Sequence, residues 1–143
     1  MSKAQFGASR DELASRPTVY ASDLFSDKTV IVTGAGGGLG LAIATLFARL
    51  GANLAINGRN EEKLASAADF LRSFGGRVLA QTMSIRDLDQ VTGFVQAVNR
   101  EFGAIDVLVN NAGGQFPQAA LDFSAKGWNA VIDTNLNLSL IHI

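Results

Sequence analysis

The stretch Thr33-Gly34-Ala35-Gly36-Gly37-Gly38-Leu39-Gly40 decides how this 143-residue sequence folds. It follows a short apolar run at residues 29–33, which is typical of a buried strand, and it precedes a segment with helical periodicity. Glycine adopts positive φ angles without penalty, so a tight turn from strand to helix becomes possible here. The bare backbone also lets a pyrophosphate approach the N–H groups at the start of the helix. The alternative is a flexible loop that is simply rich in glycine.

Apolar strands and amphipathic helices continue to alternate after this turn. Further strands are expected at residues 53–57, 77–82 and 105–110. The apolar stripes of the intervening helices are Leu39, Ile43, Leu46, Phe47 and Leu50; then Leu64, Ala68, Leu71 and Phe74; then Leu88, Val91, Phe94, Val95, Val98 and Phe102. Continuous apolar strands separated by helices indicate a parallel sheet covered on both faces. The predicted fold class is therefore α/β, a Rossmann-type doubly wound parallel sheet, truncated after about four strands.

Three ranges are expected along the chain. Residues 1–27 are polar and show no sustained period, which predicts an irregular leader. Residues 28–137 are interpreted as the N-terminal part of a single Rossmann NAD(P)-binding domain. Residues 138–143 resemble the translation of a transposon-end adapter used in sequencing libraries, which predicts a non-native tail, and a natural variant of the helix is the alternative.

The composition excludes several classes of function. A hydrophobic content of 48% with 17% charged residues predicts a packed core, and the net charge of −1 argues against nucleic-acid or anionic-membrane partners. The absence of cysteine and the single histidine, His142, argue against a metal site. No run reaches the roughly 18 apolar residues of a membrane span, and no targeting signal is visible at the start. A cytoplasmic location is therefore expected.

A second motif, Asn110-Asn111-Ala112-Gly113, ends the fourth predicted strand. With the glycine turn it resembles the short-chain dehydrogenase/reductase family, over about residues 23–137. The resemblance implies an oxidoreductase that binds NAD(H) or NADP(H), acts on a small molecule and forms a homo-oligomer at full length. It implies cofactor contacts from Gly34, Gly36, Gly37, Gly38, Leu39 and Gly40 in the phosphate loop, and from Asn111, Ala112 and Gly113 on the adenosine and ribose side.

The end of the second strand bears on the choice of dinucleotide. An acid there would hold the 2′-hydroxyl of NAD(H), but the segment reads Asn57-Gly58-Arg59-Asn60. Arg59 can instead form charge-assisted bonds to a 2′-phosphate, so NADP(H) is favoured over NAD(H). The alternative is an exposed arginine that pairs with a glutamate of the segment Glu61-Glu62. Ser84 and Ile85 stand where the family places its contacts to the adenine.

One candidate catalytic residue lies within the chain. Asn135 shares a helical stripe with Trp128 and is expected to face inward. Its segment resembles the family stretch that carries the asparagine of the Asn-Ser-Tyr-Lys tetrad, which implies that Asn135 organises a proton-relay water. The alternative is a buried asparagine that satisfies neighbouring backbone. The only tyrosine, Tyr20, has no lysine four residues later, so the catalytic pair is expected beyond residue 143 and the fragment alone is expected to be inactive.

The substrate is indicated only by resemblance. The segments Gly113-Gly114-Gln115-Phe116 and Ser124-Ala125-Lys126-Gly127-Trp128 resemble the peroxisomal trans-2-enoyl-CoA and 2,4-dienoyl-CoA reductases, which implies an acyl-CoA substrate and a place in fatty acid metabolism. The bland alternative is that Phe116 and Trp128 are core aromatics. Two other functions stay open: a carbonyl or secondary-alcohol dehydrogenase, for example of a terpenoid alcohol, and a non-catalytic dinucleotide-binding module.

Overall fold

The sheet has four parallel strands in the order β3-β2-β1-β4. The computed structural model describes residues 7–114 and 117–137. Its strands are β1 Thr29–Val32, β2 Asn53–Gly58, β3 Val78–Thr82 and β4 Val107–Val109. Its helices are α1 Arg10–Ser15, α2 Gly38–Arg49, α3 Glu61–Arg72, α4 Leu88–Phe102 and α5 Ala125–Asn135, with a 3₁₀ turn at Ala120–Asp122. The predicted α/β fold with a parallel sheet is confirmed. The predicted tail at residues 138–143 lies outside the described residues.

Helices cover both faces of the sheet. Val30 and Val32 of β1 point into one core cluster, which also contains the buried sides of α2 and α3. Ile31 lies between them in sequence and points into the opposite cluster, where Phe94 and Val98 of α4 pack. Successive side chains of a strand alternate between faces, so a strand buried on both sides is apolar at most of its positions. The continuous apolar run at β1 follows from this arrangement.

The buried side of α2 differs from the predicted apolar stripe. Leu39 is 71% exposed and Leu46 is 37% exposed, so both were wrongly assigned to the core. The residues of α2 that the structure buries are mostly small: Gly40, Leu41, Ala44, Thr45 and Ala48. Small side chains allow the helix axis to approach the sheet closely, and Leu41 is the one leucine among these buried residues.

The predicted irregular leader contains a helix. α1 begins with a capping box, in which the Ser9 hydroxyl accepts from the backbone N–H of Glu12 and the Glu12 carboxylate accepts from that of Ser9. Arg49 of α2 donates to the carbonyl oxygens of Leu13 at 3.0 Å and Arg16 at 2.6 Å. A six-residue helix is not stable alone, so these contacts hold it on the domain.

Neither a membrane span nor a metal cluster is found in the part of the chain that the structure describes. None of its helices is long and apolar enough to cross a membrane. No group of three or more acidic, histidine or cysteine side chains lies close enough to hold a metal ion.

A carboxylate ties the start of β1 to the start of β4. Asp106 accepts hydrogen bonds from the backbone N–H of Thr29 at 2.8 Å and from the Lys28 ammonium at 3.0 Å. The Thr29 hydrogen bond, and after it the Lys28 hydrogen bond, lowers the pKa of Asp106 below its usual value of 3.8. A lowered folded-state pKa adds stability above the unfolded pKa, and that stability is lost as the pH falls through the folded pKa.

We therefore expect Asp106→Asn to destabilise the fold at neutral pH and to matter less as the pH falls below 3.8. Thermal melts of both proteins across a pH series measure the difference. Asp23→Asn is the control, because the Asp23 carboxylate accepts no hydrogen bond from the described residues. A destabilisation by Asp106→Asn that stays constant down to the lowest pH would contradict the expectation.

Candidate functional site

A cavity of about 340 Å³ lies where the carboxyl ends of the strands meet. Predicted residues that line it are Gly34, Gly36, Gly37, Arg59, Ser84, Ile85, Asn111, Ala112 and Gly113. Gly38, Leu39, Gly40 and Asn135 are not among its lining residues. Seven residues that were not predicted also line it: Asn57, Gly58, Asn60, Lys63, Met83, Arg86 and Thr134. The glycine turn and the Asn110–Gly113 motif, distant in sequence, therefore border one cavity.

The glycine turn needs glycine at two positions because of close approach. Gly34 has a φ of +70°, and a Cβ built there would lie 3.0 Å from the Cα of Ala112. A Cβ at Gly40 would lie 2.5 Å both from the carbonyl oxygen of Gly34 and from the Asn111 Nδ2. Gly40 does not line the cavity, but its lack of a side chain allows the glycine turn to pack against Asn111.

Thr33 and Asn111 join the two motifs through hydrogen bonds. The Thr33 hydroxyl oxygen accepts from the backbone N–H groups of Asn111 at 3.0 Å and Ala112 at 2.9 Å. The Asn111 Nδ2 donates to the carbonyl oxygens of Thr33 at 2.9 Å and Gly34 at 3.4 Å. Because these side chains satisfy backbone groups of the turn and of the loop after β4, they hold the cavity wall in one conformation.

Asn57 is a site residue that sequence reasoning missed. It is 2% exposed, and its Oδ1 accepts from the backbone N–H of Gly34 at 3.3 Å. Its own carbonyl oxygen accepts from the N–H of Ala35 at 3.1 Å. A buried amide is costly without partners. An asparagine that directly follows the apolar run Leu54–Ile56 was the signal that could have identified it.

Three cations line the cavity, and no acid does. Arg59, Lys63 and Arg86 are the charged lining residues. The ion pairs among the described residues join Lys28 to Asp106, Arg72 to Asp69, and Arg77 to Glu101. The alternative in which Arg59 pairs with Glu61 or Glu62 is therefore wrong for this structure. A cavity with free cations and no carboxylate favours an anionic ligand.

The wall after β3 carries Ser84 and Ile85. The Ser84 hydroxyl oxygen accepts from the backbone N–H of Arg86 at 3.3 Å, and the Ser84 N–H donates to the Gln90 side chain at 2.9 Å. Ile85 is 8% exposed and packs in the same core cluster as α4. Ser84 therefore offers a polar group to the cavity, and Ile85 offers an apolar one.

Asn135 was predicted to face inward, and the structure contradicts this. It is exposed, α5 has no buried residue, and Trp128 is 59% exposed with its ring in a T-shaped arrangement with that of Phe123. The Asn135 Nδ2 donates to the carbonyl oxygen of Gly114 at 2.8 Å, and its Oδ1 accepts from the Gly114 N–H at 3.2 Å. These two bonds satisfy neighbouring backbone, as the alternative expected, but the asparagine is not buried as that alternative also expected. Its catalytic role stays a prediction.

Gly113 lies close to the same side chain. A Cβ at Gly113 would lie 2.6 Å from the Asn135 Oδ1. The next α5 residue toward the helix start, Thr134, lines the cavity, so the bonds from Asn135 bring this helix against the cavity wall. Gln115 and Phe116, expected beside the substrate, lie outside the described residues.

The chain matches a known family and several known proteins. A family model described as short chain dehydrogenase covers residues 28–142. Gluconate 5-dehydrogenase of Gluconobacter oxydans is 40% identical over 80% of this chain and 46% of its own length. A peroxisomal 2,4-dienoyl-CoA reductase of Danio rerio is 38% identical over 87% of this chain and 43% of its own. The chain spans about half the length of the curated relatives it matches.

Two solved structures show the same fold with different dinucleotides. L-sorbose reductase from Gluconobacter frateurii, complexed with NADPH and L-sorbose, is 30% identical with a TM-score of 0.80, over 85% of this chain and 46% of its own. An NAD⁺-bound xylitol dehydrogenase is 33% identical with a TM-score of 0.78, over 82% of this chain and 45% of its own. Because the chain is similar to an NAD⁺-bound and to an NADPH-bound structure, any argument about its dinucleotide preference rests on its own residues.

Proposed function

Because this chain belongs to the short-chain dehydrogenase family, we propose that it is the cofactor-binding part of an NADP(H)-dependent oxidoreductase. The observation that carries the proposal is the cavity with three free cations and no acid among its described lining residues. A 2′-phosphate is a phosphate monoester and brings a charge of about −1.5 to −2 at neutral pH. Such a group suits this lining, whereas a 2′-hydroxyl carries no charge that could balance that of Arg59.

The residues of the glycine turn and of the cavity lining are suited to bind a dinucleotide. The turn leaves space at Gly37 and Gly38, where a built Cβ would meet nothing within 4 Å, so a pyrophosphate can approach the backbone N–H groups at the start of α2. Arg59 would bind the 2′-phosphate, and the Ser84 hydroxyl would hydrogen-bond the base. Hydride transfer is the chemistry that a nicotinamide supplies when bound. This chain's own contribution is to bind, orient and discriminate.

The substrate that we favour is an enoyl- or dienoyl-CoA thioester. Its support is the resemblance of the loop after β4 to such reductases, together with the dienoyl-CoA reductase among the relatives. The second candidate is a carbonyl or secondary-alcohol substrate. The sugar and polyol enzymes among the relatives and solved structures favour it.

Assays of the full-length protein with both substrate classes discriminate these candidates. We expect NADPH oxidation to depend on added 2-enoyl- or 2,4-dienoyl-CoA, with the same amount of a secondary alcohol and NADP⁺ as the comparison. Turnover of the alcohol alone would favour the second candidate. The 143-residue chain is the control for a non-catalytic module, because its only tyrosine, Tyr20, does not line the cavity. We expect saturable NADPH binding without turnover from the chain alone.

Titration calorimetry of the chain with NADPH and with NADH tests the cofactor assignment itself. A charge-assisted hydrogen bond contributes about 1.5–3 kcal/mol, so NADPH should bind about tenfold more tightly or better. Equal affinity for the two dinucleotides would reject the assignment to NADP(H).

A further inference from the structure

Lys63 stands on the first turn of α3, at the rim of the cavity. α3 begins directly after the Arg59-Asn60 corner, and the Asn60 side chain accepts from the backbone N–H of Lys63 at 2.8 Å. This cap fixes where the Lys63 backbone lies relative to Arg59. The Cβ of Lys63 is 3.7 Å from the position that a Cβ at Gly36 would occupy. The base of the Lys63 side chain therefore lies beside the glycine turn, within van der Waals distance of a Cβ at Gly36.

We propose that Lys63 is a second residue that binds the 2′-phosphate and, with Arg59, determines dinucleotide specificity. The inference rests on the proposed NADP(H) function and deepens it. A single guanidinium carries one positive charge, which leaves part of the charge of a phosphate monoester unbalanced. Lys63 supplies a second cation from the helix turn that follows Arg59, and it lines the same cavity.

The electrostatics of the cavity support a ligand for Lys63 rather than a structural ion pair. Lys63 is exposed, and the structure gives its ammonium no acidic partner among the described residues. Glu61 and Glu62 share its helix turn but do not line the cavity. The three cations repel one another because no acid lies among them, and each would be attracted to a bound dianion.

Arg86 enters the cavity from a different element. It follows Ser84 in the loop between β3 and α4, where its backbone N–H bonds to the Ser84 hydroxyl. That loop forms the wall assigned above to the base. Lys63, in contrast, lies beside the glycine turn and Arg59, which are the parts assigned to the phosphates. The second phosphate ligand is therefore assigned to Lys63.

Calorimetry with 2′,5′-ADP and 5′-AMP tests this assignment without any activity assay. We expect Lys63→Gln to weaken 2′,5′-ADP binding about tenfold or more while 5′-AMP binding stays the same. Lys63→Arg, which keeps the charge, should retain most of the affinity. Lys126→Gln removes the same charge from α5, outside the cavity lining, and should leave both affinities unchanged.

The outcomes separate the inference from the proposed function. If the unsubstituted chain does not prefer 2′,5′-ADP to 5′-AMP, the NADP(H) function fails, and the role of Lys63 fails with it. If the preference is present but Lys63→Gln lowers it no more than Lys126→Gln does, only the role of Lys63 is overturned. An equal loss for both probes would also overturn it. Lys63 is exposed, so we expect its variants to fold. Circular dichroism before the titration checks this.

Discussion

Arg59→Asp is expected to reverse the dinucleotide preference of this chain. The substitution removes the guanidinium that would bind the 2′-phosphate, and it places a carboxylate where repulsion adds to the loss. The same carboxylate can accept hydrogen bonds from the 2′-hydroxyl of NAD(H). Loss of a charge-assisted bond and gain of a repulsion together predict a change of about 100-fold or more in the ratio of NADPH to NADH affinity.

The ratio of the two dissociation constants, measured by calorimetry, is the readout for Arg59→Asp. Lys126→Asp makes the same change of two charge units on α5, outside the cavity lining, and should leave the ratio unchanged. A ratio that Arg59→Asp leaves intact would mean that Arg59 does not contact the 2′-phosphate. A ratio that both variants change equally would mean that overall charge, rather than a specific contact, sets the preference.

The strand pattern was predictable because a strand of a doubly covered parallel sheet is apolar at most of its positions. The apolar residues of β1 at Val30, Ile31 and Val32 point into both core clusters, and such strands are visible as continuous apolar runs. The glycine turn was also recognisable in the sequence, because its packing restricts which residues it can contain. A turn that packs against Ala112 and Asn111 tolerates only glycine at Gly34 and Gly40.

The rest of the site depends on tertiary placement that periodicity does not encode. Lys63 and Arg86 belong to α3 and to the loop before α4, and nothing in their local sequence distinguishes them from exposed cations. Only the order β3-β2-β1-β4 brings them to the cavity that the glycine turn borders. The exposed Leu39 shows the converse error, because α2 packs mostly through small residues and Leu41, so that Leu39 lies outside the core.

The helix in the leader was missed although its signal was present. Ser9 and Glu12 form a capping-box pair, a pattern that sequence reading can recognise. Six residues without a buried member carry no apolar period, however, so no stripe marked them. The bonds from Arg49 that hold α1 join positions 33 and 36 residues apart, and only the folded chain brings them together.

Gly40→Ala is expected to disrupt the fold around the turn and abolish dinucleotide binding. The added Cβ would lie 2.5 Å from the Gly34 carbonyl oxygen, which belongs to the backbone and cannot rotate away. It would also lie 2.5 Å from the Asn111 Nδ2, which bonds to that turn. Overpacking of this kind costs about 1–3 kcal/mol. Relief of the clash requires the glycine turn to move away from the loop after β4.

Gly93→Ala is the matched control for this substitution, because it makes the same change within a helix. A Cβ at Gly93 meets nothing within 4 Å, and alanine is favoured over glycine inside a helix by about 0.5–1 kcal/mol. The two variants should therefore shift the melting temperature in opposite directions, and only Gly40→Ala should lose NADPH binding. Retention of binding in a folded Gly40→Ala protein would show that the turn can separate from Asn111 without harm to the cradle. That result would contradict the role assigned to this glycine.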